Sequence, residues 1–402
     1  MGKGMKKNIL NIIFVAVMAV LLCITPVFYT IIDQRSSSES QVLTVFPKFT
    51  VGSFFDASFQ TTIEQALKDQ FFLHDEAIEL TLGSKGGLHR MYNSIEELFG
   101  REKGLVPYGS VYQMFGTEYL TNLPYVYNEA DAQGYIRKAG EISDFARKYP
   151  DAFVYVYYCT RAEDLDWFDE SEGMTSFNYS AYLDGLLDDS VRFSASKIRD
   201  FEEFKQRRYQ TDHHWTDTGA DWGYIEILLM MRGDMPDIGS ARSISNRETF
   251  DDLKWLGSRW RESALSSKNV PLESFIVSNY VLEDHITLFD GKRVSLGLGE
   301  LYAEGEVTRD IGFDQYLNYF GFESAPIELT YEGNDKNLLI IGDSFVRTIR
   351  DPLASHFGTT LFINFRILDQ VDLDELMAQY GFDAVLFMGQ QDAFSGYFLE
   401  KE

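Results

Sequence analysis

Residues 337–344 read Asn-Leu-Leu-Ile-Ile-Gly-Asp-Ser. The aliphatic run Leu338–Ile341 is the length of a strand, too short for a core helix, and its lack of alternation suits a strand covered on both faces. Gly342 ends the run, Asp343 and Ser344 form the turn, and the spacing predicts a helix over Val346–His356. A strand that runs directly into a helix is the repeating unit of a parallel α/β sheet, and such sheets place their ligands at the carboxyl ends of the strands.

The same alternation continues on both sides. Downstream come a predicted strand over Thr360–Phe365 (TLFINF), a helix over Leu373–Tyr380 and a third strand over Ala384–Met388 (AVLFM). Upstream, a helix over Ala130–Tyr149 is ended by Pro150-Asp151, and a β-prone run follows over Ala152–Tyr158 (AFVYVYY). A short helix is expected over Tyr179–Leu187, and a longer one, capped by Thr216 or Thr218, runs to about Met231. Residues 233–332 carry only short alternating runs (ESFIVSNYVL, HITLFDG, RVSLGLG) and are expected to be a decorating region of strands and loops. The predicted fold is α/β, a parallel sheet flanked by helices with right-handed crossovers.

The N-terminus carries a different signal. Residues 8–32 (NILNIIFVAVMAVLLCITPVFYTII) hold no charged side chain. About 20 helical residues cross a bilayer core, so this run is long enough to span. Lys3, Lys6 and Lys7 precede it, which leaves residues 1–7 in the cytoplasm and exports the rest. A cleaved signal peptide would have a shorter apolar segment ending in small residues, and Leu21-Leu22 before Cys23 do not suit a lipoprotein site. The expected organisation is a cytoplasmic stretch 1–7, a single-pass anchor 8–32 in the cell membrane, a linker and helical arm over 33–125, and an extracytoplasmic domain over 126–402 with the decorating insertion at 232–333.

Composition supports a globular protein. Of 402 residues, 45% are hydrophobic, and 62 Asp and Glu against 36 Lys and Arg give a formal charge of -26. Such a surface repels phosphate backbones, so nucleic acid is not an expected partner. The two cysteines, Cys23 and Cys159, make neither a disulfide framework nor a zinc array.

Two places can carry chemistry. Ser344 stands at a strand end and a helix N-terminus, where free N–H groups can stabilise an oxyanion, and Gly342 permits the tight turn. The plainer alternative is that Asp343 or Ser344 only caps the helix. A serine nucleophile needs a base, and Thr211-Asp212-His213-His214-Trp215 supplies one. In an extended backbone Asp212 and His214 share a side, so the carboxylate can orient the imidazole, whereas His213 points away. A metal reading of Asp212, His213 and His214 is disfavoured because adjacent residues rarely converge on one ion, and no metal is expected. Cys159 after its strand reads as packing, and His356 as a helix-end residue.

TDHHWTDTGA resembles the signature of the DHHW family, and IIGDSF resembles the GDS block of SGNH-hydrolase-like folds. The order, with D-x-H before GDS, is similar to the circularly permuted SGNH-like domains of alginate O-acetyltransferases, and LKDQFFLHDEAIELTLG is similar to their opening helix. The resemblance spans roughly residues 60–400. It implies an SGNH-like, flavodoxin-like sheet with Ser344 as nucleophile, His214 as general base and acid, and Asp212 as its orienting carboxylate. It also implies oxyanion donors at Ser344 N–H, at Asn364 and at Gln390 or Gln391, although the glutamines depart from the family pattern. Arg347 and Arg366 lie near the strand ends, placed either to bind a substrate carboxylate or to pair with surface charge. The implied function is O-acetyl transfer to hydroxyls of a cell-envelope or secreted polysaccharide. No cofactor is implied, and a polytopic membrane-bound O-acyltransferase would be the acetyl-supplying partner. The rival expectations are an acetylesterase of the same fold and a non-catalytic polysaccharide-binding or assembly protein.

Overall fold

The computed structural model describes residues 117–165, 176–263, 273–294, 315–320 and 325–396, with 105–108, 110–114 and a few short stretches nearer the N-terminus. The expected membrane span lies outside the described residues, and the helical arm almost wholly so. Among the described residues no helix is long and apolar enough to cross a membrane.

Eight strands form the central sheet: β1 (Phe153–Tyr158), β2 (Val191–Ala195), β3 (His285–Phe289), β4 (Lys292–Val294), β5 (Ile327–Tyr331), β6 (Asn337–Gly342), β7 (Thr359–Asn364) and β8 (Ala384–Gly389). Their spatial order is β4-β3-β5-β7-β6-β8-β1-β2. The five strands from β7 to β2 are mutually parallel. Counted from β6, that parallel block has the order 2-1-3-4-5 of flavodoxin-like sheets, but the chain enters it at the fourth strand. The sheet is therefore circularly permuted, in keeping with the order of the two motifs. Its topological switch point lies between β6 and β8, at the strand end that delivers Ser344.

Strand alternation divides the core into two halves. Leu338 and Ile340 of β6, Leu386 and Met388 of β8, and Tyr155 and Tyr157 of β1 pack on one side with helix α3 (Asp217–Asp234). Leu339, Ile341, Val385, Phe387, Val154 and Val156 pack on the other with α1 (Glu129–Lys148), α2 (Tyr179–Leu186) and α5 (Leu373–Tyr380). Burial on both faces explains the unbroken apolar runs, and each fully buried aliphatic side chain contributes about 1.5–3 kcal/mol. Local chemistry fixes the helix ends. Asn128, Thr216 and Asp372 accept backbone N–H groups as N-caps, and Gly381 closes α5 in the left-handed conformation with φ of 56°.

Two expectations are revised. The single helix over Val346–His356 is instead a 3-10 turn over Ser344–Thr348 followed by a short α-helix over Arg350–Ala354. Pro352 cannot donate to the Thr348 carbonyl, so a continuous α-helix would lack a bond there. The sheet is also mixed rather than purely parallel. Part of the region expected to be decorative supplies β3, β4 and β5. These join the β7 edge in antiparallel pairing. The remainder forms a hairpin of Ile244–Trp255 with Glu273–Tyr280 and a helix α4 (Gln315–Phe320).

Candidate active site

Ser344 begins the 3-10 turn, but the capping role belongs to its neighbour. Asp343 accepts the Phe345 N–H through Oδ1 at 3.0 Å and the Gln390 N–H through Oδ2 at 2.9 Å, so one carboxylate caps the turn and links β6 to β8. Ser344 Oγ is left to face His214. Gly342 serves by lacking a side chain, not by unusual backbone angles: a Cβ there would meet Val346 Cγ2 at 2.4 Å and the Met388 carbonyl at 2.9 Å.

The histidine loop is held from several directions. Residues 209–214 are closed by an antiparallel bridge between Arg208 and Trp215. The Arg208 guanidinium donates to the Thr160 carbonyl and to Ser196 Oγ, tying the loop to the ends of β1 and β2. Half-buried Glu273 on the inserted hairpin accepts the Gln210 and Thr211 N–H groups and the Thr211 hydroxyl. Burial drives its carboxyl up to about 7, against those hydrogen bonds and with the Asp212 charge adding to the rise. Gly257 N–H donates to Thr211 Oγ1 at 2.8 Å, and Ser258 N–H to Asp212 Oδ2 at 2.7 Å. A Cβ on Gly257 would lie 2.3 Å from Asp212 Cβ, so only glycine admits this approach.

Three side chains then line up. Asp212 Oδ1 is 2.6 Å from His214 Nδ1, and His214 Nε2 is 2.7 Å from Ser344 Oγ. With Nδ1–H donated to the carboxylate, Nε2 accepts from the serine hydroxyl. Asp212 Oδ1 also accepts the His214 backbone N–H at 2.9 Å. Burial alone would raise the Asp212 carboxyl, but the flanking imidazoles and the hydrogen bonds from His214 and Ser258 hold it well below the usual carboxylate range. Asp212 and His214 are both buried. Such an array can transfer a proton from the hydroxyl to Nε2 while the imidazolium is stabilised by a carboxylate.

Tyr316 of α4 completes the packing. Its ring stacks on His214 with centroids 3.9 Å apart and planes 12° apart, and its hydroxyl donates to the Ser344 carbonyl at 3.0 Å. Buried Trp215 donates its indole N–H to Thr348 Oγ1 at 2.8 Å, joining the histidine motif to the turn that carries Ser344.

The other residues singled out in the sequence fall as follows. Asn364, at the end of β7 opposite Gly342, accepts the Arg366 N–H through Oδ1, so the donor end of its amide is Nδ2. Gln390 is buried at the end of β8, and among the described residues its Oε1 has no hydrogen-bond partner. Arg347 is buried one 3-10 turn beyond Ser344, and Arg366 is exposed. Cys159 is fully buried, and burial pushes its thiol well up, away from nucleophilic character. His356 is buried between Tyr224 Oη and the Ile238 carbonyl, and burial lowers it to about 4.

His213 departs from expectation. The loop bends instead of running extended, so His213 does not point away. Its ring lies 3.9 Å from that of His214, centroid to centroid, and its Nδ1 meets Ser258 Oγ at 2.8 Å. Burial, with His214 beside it, lowers its basicity well below the usual range. The bend also brings ligand atoms of Asp212, His213 and His214 within 4.8 Å of one another, so adjacency does not keep them apart. Here they are engaged with Ser258 and Ser344.

Gly257, Ser258, Glu273 and Tyr316 all lie in the region that reads as decoration in the sequence.

No protein-family model matches the sequence, and a search of curated proteins gives no match. Solved structures do resemble the fold. Bacillus cereus PatB1 carrying a sulfonyl adduct aligns with a TM-score of 0.55 at 17% identity, covering 71% of this chain and 98% of that one. A DHHW family protein from Eubacterium siraeum aligns with a TM-score of 0.54 at 16% identity, covering 73% of this chain and 94% of that one. At these identities the likeness speaks to architecture, and it shows that the chain shares the mixed α/β fold of PatB1 and of the Eubacterium siraeum DHHW family protein.

Proposed function

We propose that this protein is an O-acetyltransferase that acylates hydroxyls of a cell-envelope or secreted polysaccharide through a covalent acyl-enzyme on Ser344. The observation that carries the reading is the 2.7 Å contact of His214 Nε2 with Ser344 Oγ, backed by Asp212 on Nδ1. The sulfonyl adduct carried by PatB1, a protein of the same fold, accords with covalent chemistry in such folds.

In the first half-reaction Ser344 Oγ attacks the acetyl carbonyl and its proton passes to His214 Nε2. The donor's alkoxide leaves with that proton, and acetyl remains on the serine. In the second, a sugar hydroxyl gives its proton to His214 and attacks the acyl-serine, restoring Ser344 and yielding the acetylated sugar. Ser344 N–H, Asn364 Nδ2 and the Gln390 amide are the proposed oxyanion donors. The uncharged run at 8–32 supports a single-pass anchor holding the domain outside the cell membrane. A polytopic membrane-bound O-acyltransferase would then deliver acetyl from within.

The test supplies p-nitrophenyl acetate together with oligosaccharides and measures acetylated sugar against free acetate. Ser344-dependent acetyl-sugar supports transfer. Free acetate alone, with every acceptor tried, makes the protein an esterase.

A further inference from the structure

His213 stands beside the triad with a nitrogen to spare. Its ring and that of Tyr316 each lie 3.9 Å from the His214 ring, centroid to centroid, with planes tilted by 35° and 12°. Two rings that close cannot share a face, so Tyr316 covers one face of His214 and His213 covers the other. Tyr316 is fully buried, whereas the His213 side chain is 22% exposed against 7% for His214. Of the three stacked rings, His213 is the one open to solvent.

Its two nitrogens differ. Nδ1 meets Ser258 Oγ at 2.8 Å, with Asp212 Oδ1 3.5 Å away. That carboxylate favours the proton on Nδ1, which donates it to Ser258 and leaves Nε2 as a bare acceptor. With its basicity depressed by burial, the ring stays neutral and the lone pair stays free. Nε2 has no hydrogen-bond partner among the described residues and is open to solvent. The stacking places it within about 6 Å of His214 Nε2. A hydrogen bond of about 2.8 Å at each end, with the roughly 3 Å between adjacent hydroxyls of a sugar ring, covers that separation.

We infer that His213 Nε2 is an acceptor-binding group: it takes a hydrogen bond from one hydroxyl of a vicinal pair while His214 Nε2 takes the proton of its neighbour. The inference rests on the transferase reading and adds to it what selects the acceptor. In the second half-reaction that neighbouring oxygen bonds to the acetyl carbon, the ester bond to Ser344 breaks, and His214 returns the proton to Oγ. His213 only orients. A water molecule can hold one of the two positions but not both, so the pair favours transfer to a diol over hydrolysis.

Full-length protein acetylated with p-nitrophenyl acetate is offered cis- or trans-cyclohexane-1,2-diol, or cyclohexanol at the same concentration, and ester is measured against free acetate. This ratio does not depend on how fast the acyl-enzyme forms. Per hydroxyl, at least one diol is expected to exceed cyclohexanol by about 5-fold or more, the worth of one hydrogen bond. Two substitutions separate binding from packing. His213→Gln keeps an acceptor at the Nε2 position and should keep the preference, whereas His213→Asn keeps only the Ser258 contact and should lose it. The reverse order would make His213 a brace acting through Ser258 and overturns the inference. Where either variant fails to fold, the 15N signal of His213 Nε2 in histidine-labelled wild type decides, expected to move with the diol and not with cyclohexanol. An acyl-enzyme that discharges equally to diol and cyclohexanol, or to neither, also overturns the inference. The transferase reading still stands if that acyl-enzyme acetylates oligosaccharides. If wild type forms no acyl-enzyme, the transferase reading falls; an unmoved His213 signal then takes the binding role with it, and a moved one keeps it.

Discussion

The ring of Tyr316 lies flat against that of His214, 3.9 Å centroid to centroid, while its hydroxyl holds the Ser344 carbonyl at 3.0 Å. One side chain from the insertion therefore touches both His214 and Ser344. In the proposed mechanism His214 takes the serine proton, and the imidazolium would then sit on an aromatic face in a buried site, a contact worth up to about 2 kcal/mol. The stack is stronger in the charged state, so under that mechanism it would favour the transition state over the resting state.

Tyr316→Phe keeps the stack and loses one hydrogen bond, so acylation by p-nitrophenyl acetate should fall only ~2–10-fold. Tyr316→Leu removes the aromatic face and should cost roughly 10–30-fold in kcat with KM little changed. Equal losses in the two variants would show that the ring plays no electrostatic part.

The two histidines of the motif separate cleanly. His214→Ala should lose acylation almost entirely, because no other base stands at Ser344 Oγ among the described residues. His213→Ala removes the contact with Ser258 and should retain most of the acylation. A dead His213→Ala beside an active His214→Ala would reverse the assignment.

Gly257→Ala tests the bracing of Asp212. The added methyl would fall 2.3 Å from Asp212 Cβ and 2.6 Å from the Thr211 carbonyl. Thermal melts should show a loss of about 1–3 kcal/mol, the usual range for overpacking. Acylation should fall by more than ~10-fold, because a shift of the orienting carboxylate misplaces the base. Full activity with a normal melt would mean the loop relaxes freely.

Glu273 gives a pH signature. Burial raises its carboxyl from the ordinary 4.5 to about 7, so the folded state holds its proton more tightly than the unfolded chain. The resulting stability is complete below pH 4.5 and is lost as pH rises through 7, on the order of 3 kcal/mol. Half-buried His213 and buried His356, both lowered, act in the opposite sense as pH falls below 6.5. The comparison must therefore be between proteins and not along one curve. Relative to wild type, Glu273→Gln should gain stability steadily from pH 5 to pH 8 in denaturant melts, and a constant difference would remove Glu273 from the account.

Much of this arrangement was legible in the sequence because it rests on local patterns. The apolar runs at Leu338–Ile341 and Ala384–Met388 could only be buried strands, and the Asp-x-His spacing is short enough for the two side chains to find each other. The β3–β5 extension was not legible. Ile327–Tyr331 alternates cleanly as a strand, but its pairing with β7 depends on contacts distant in the chain. Nor was the direction of His213, because side-chain alternation assumes an extended backbone and this loop is bent by its bonds to Glu273. Tyr316 left no signal at all: a stacking partner is defined by where a distant helix packs.

The central claim is that Ser344 is a nucleophile activated by His214 and Asp212. Its most direct test is intact-protein mass spectrometry of the full-length chain after brief exposure to p-nitrophenyl acetate, with Ser344→Ala alongside. The account predicts a single adduct of ~42 Da, one acetyl group, mapping to Ser344 and missing from the variant. A folded wild-type protein that acquires no adduct and releases no p-nitrophenol, or one whose adduct persists in Ser344→Ala, would contradict it.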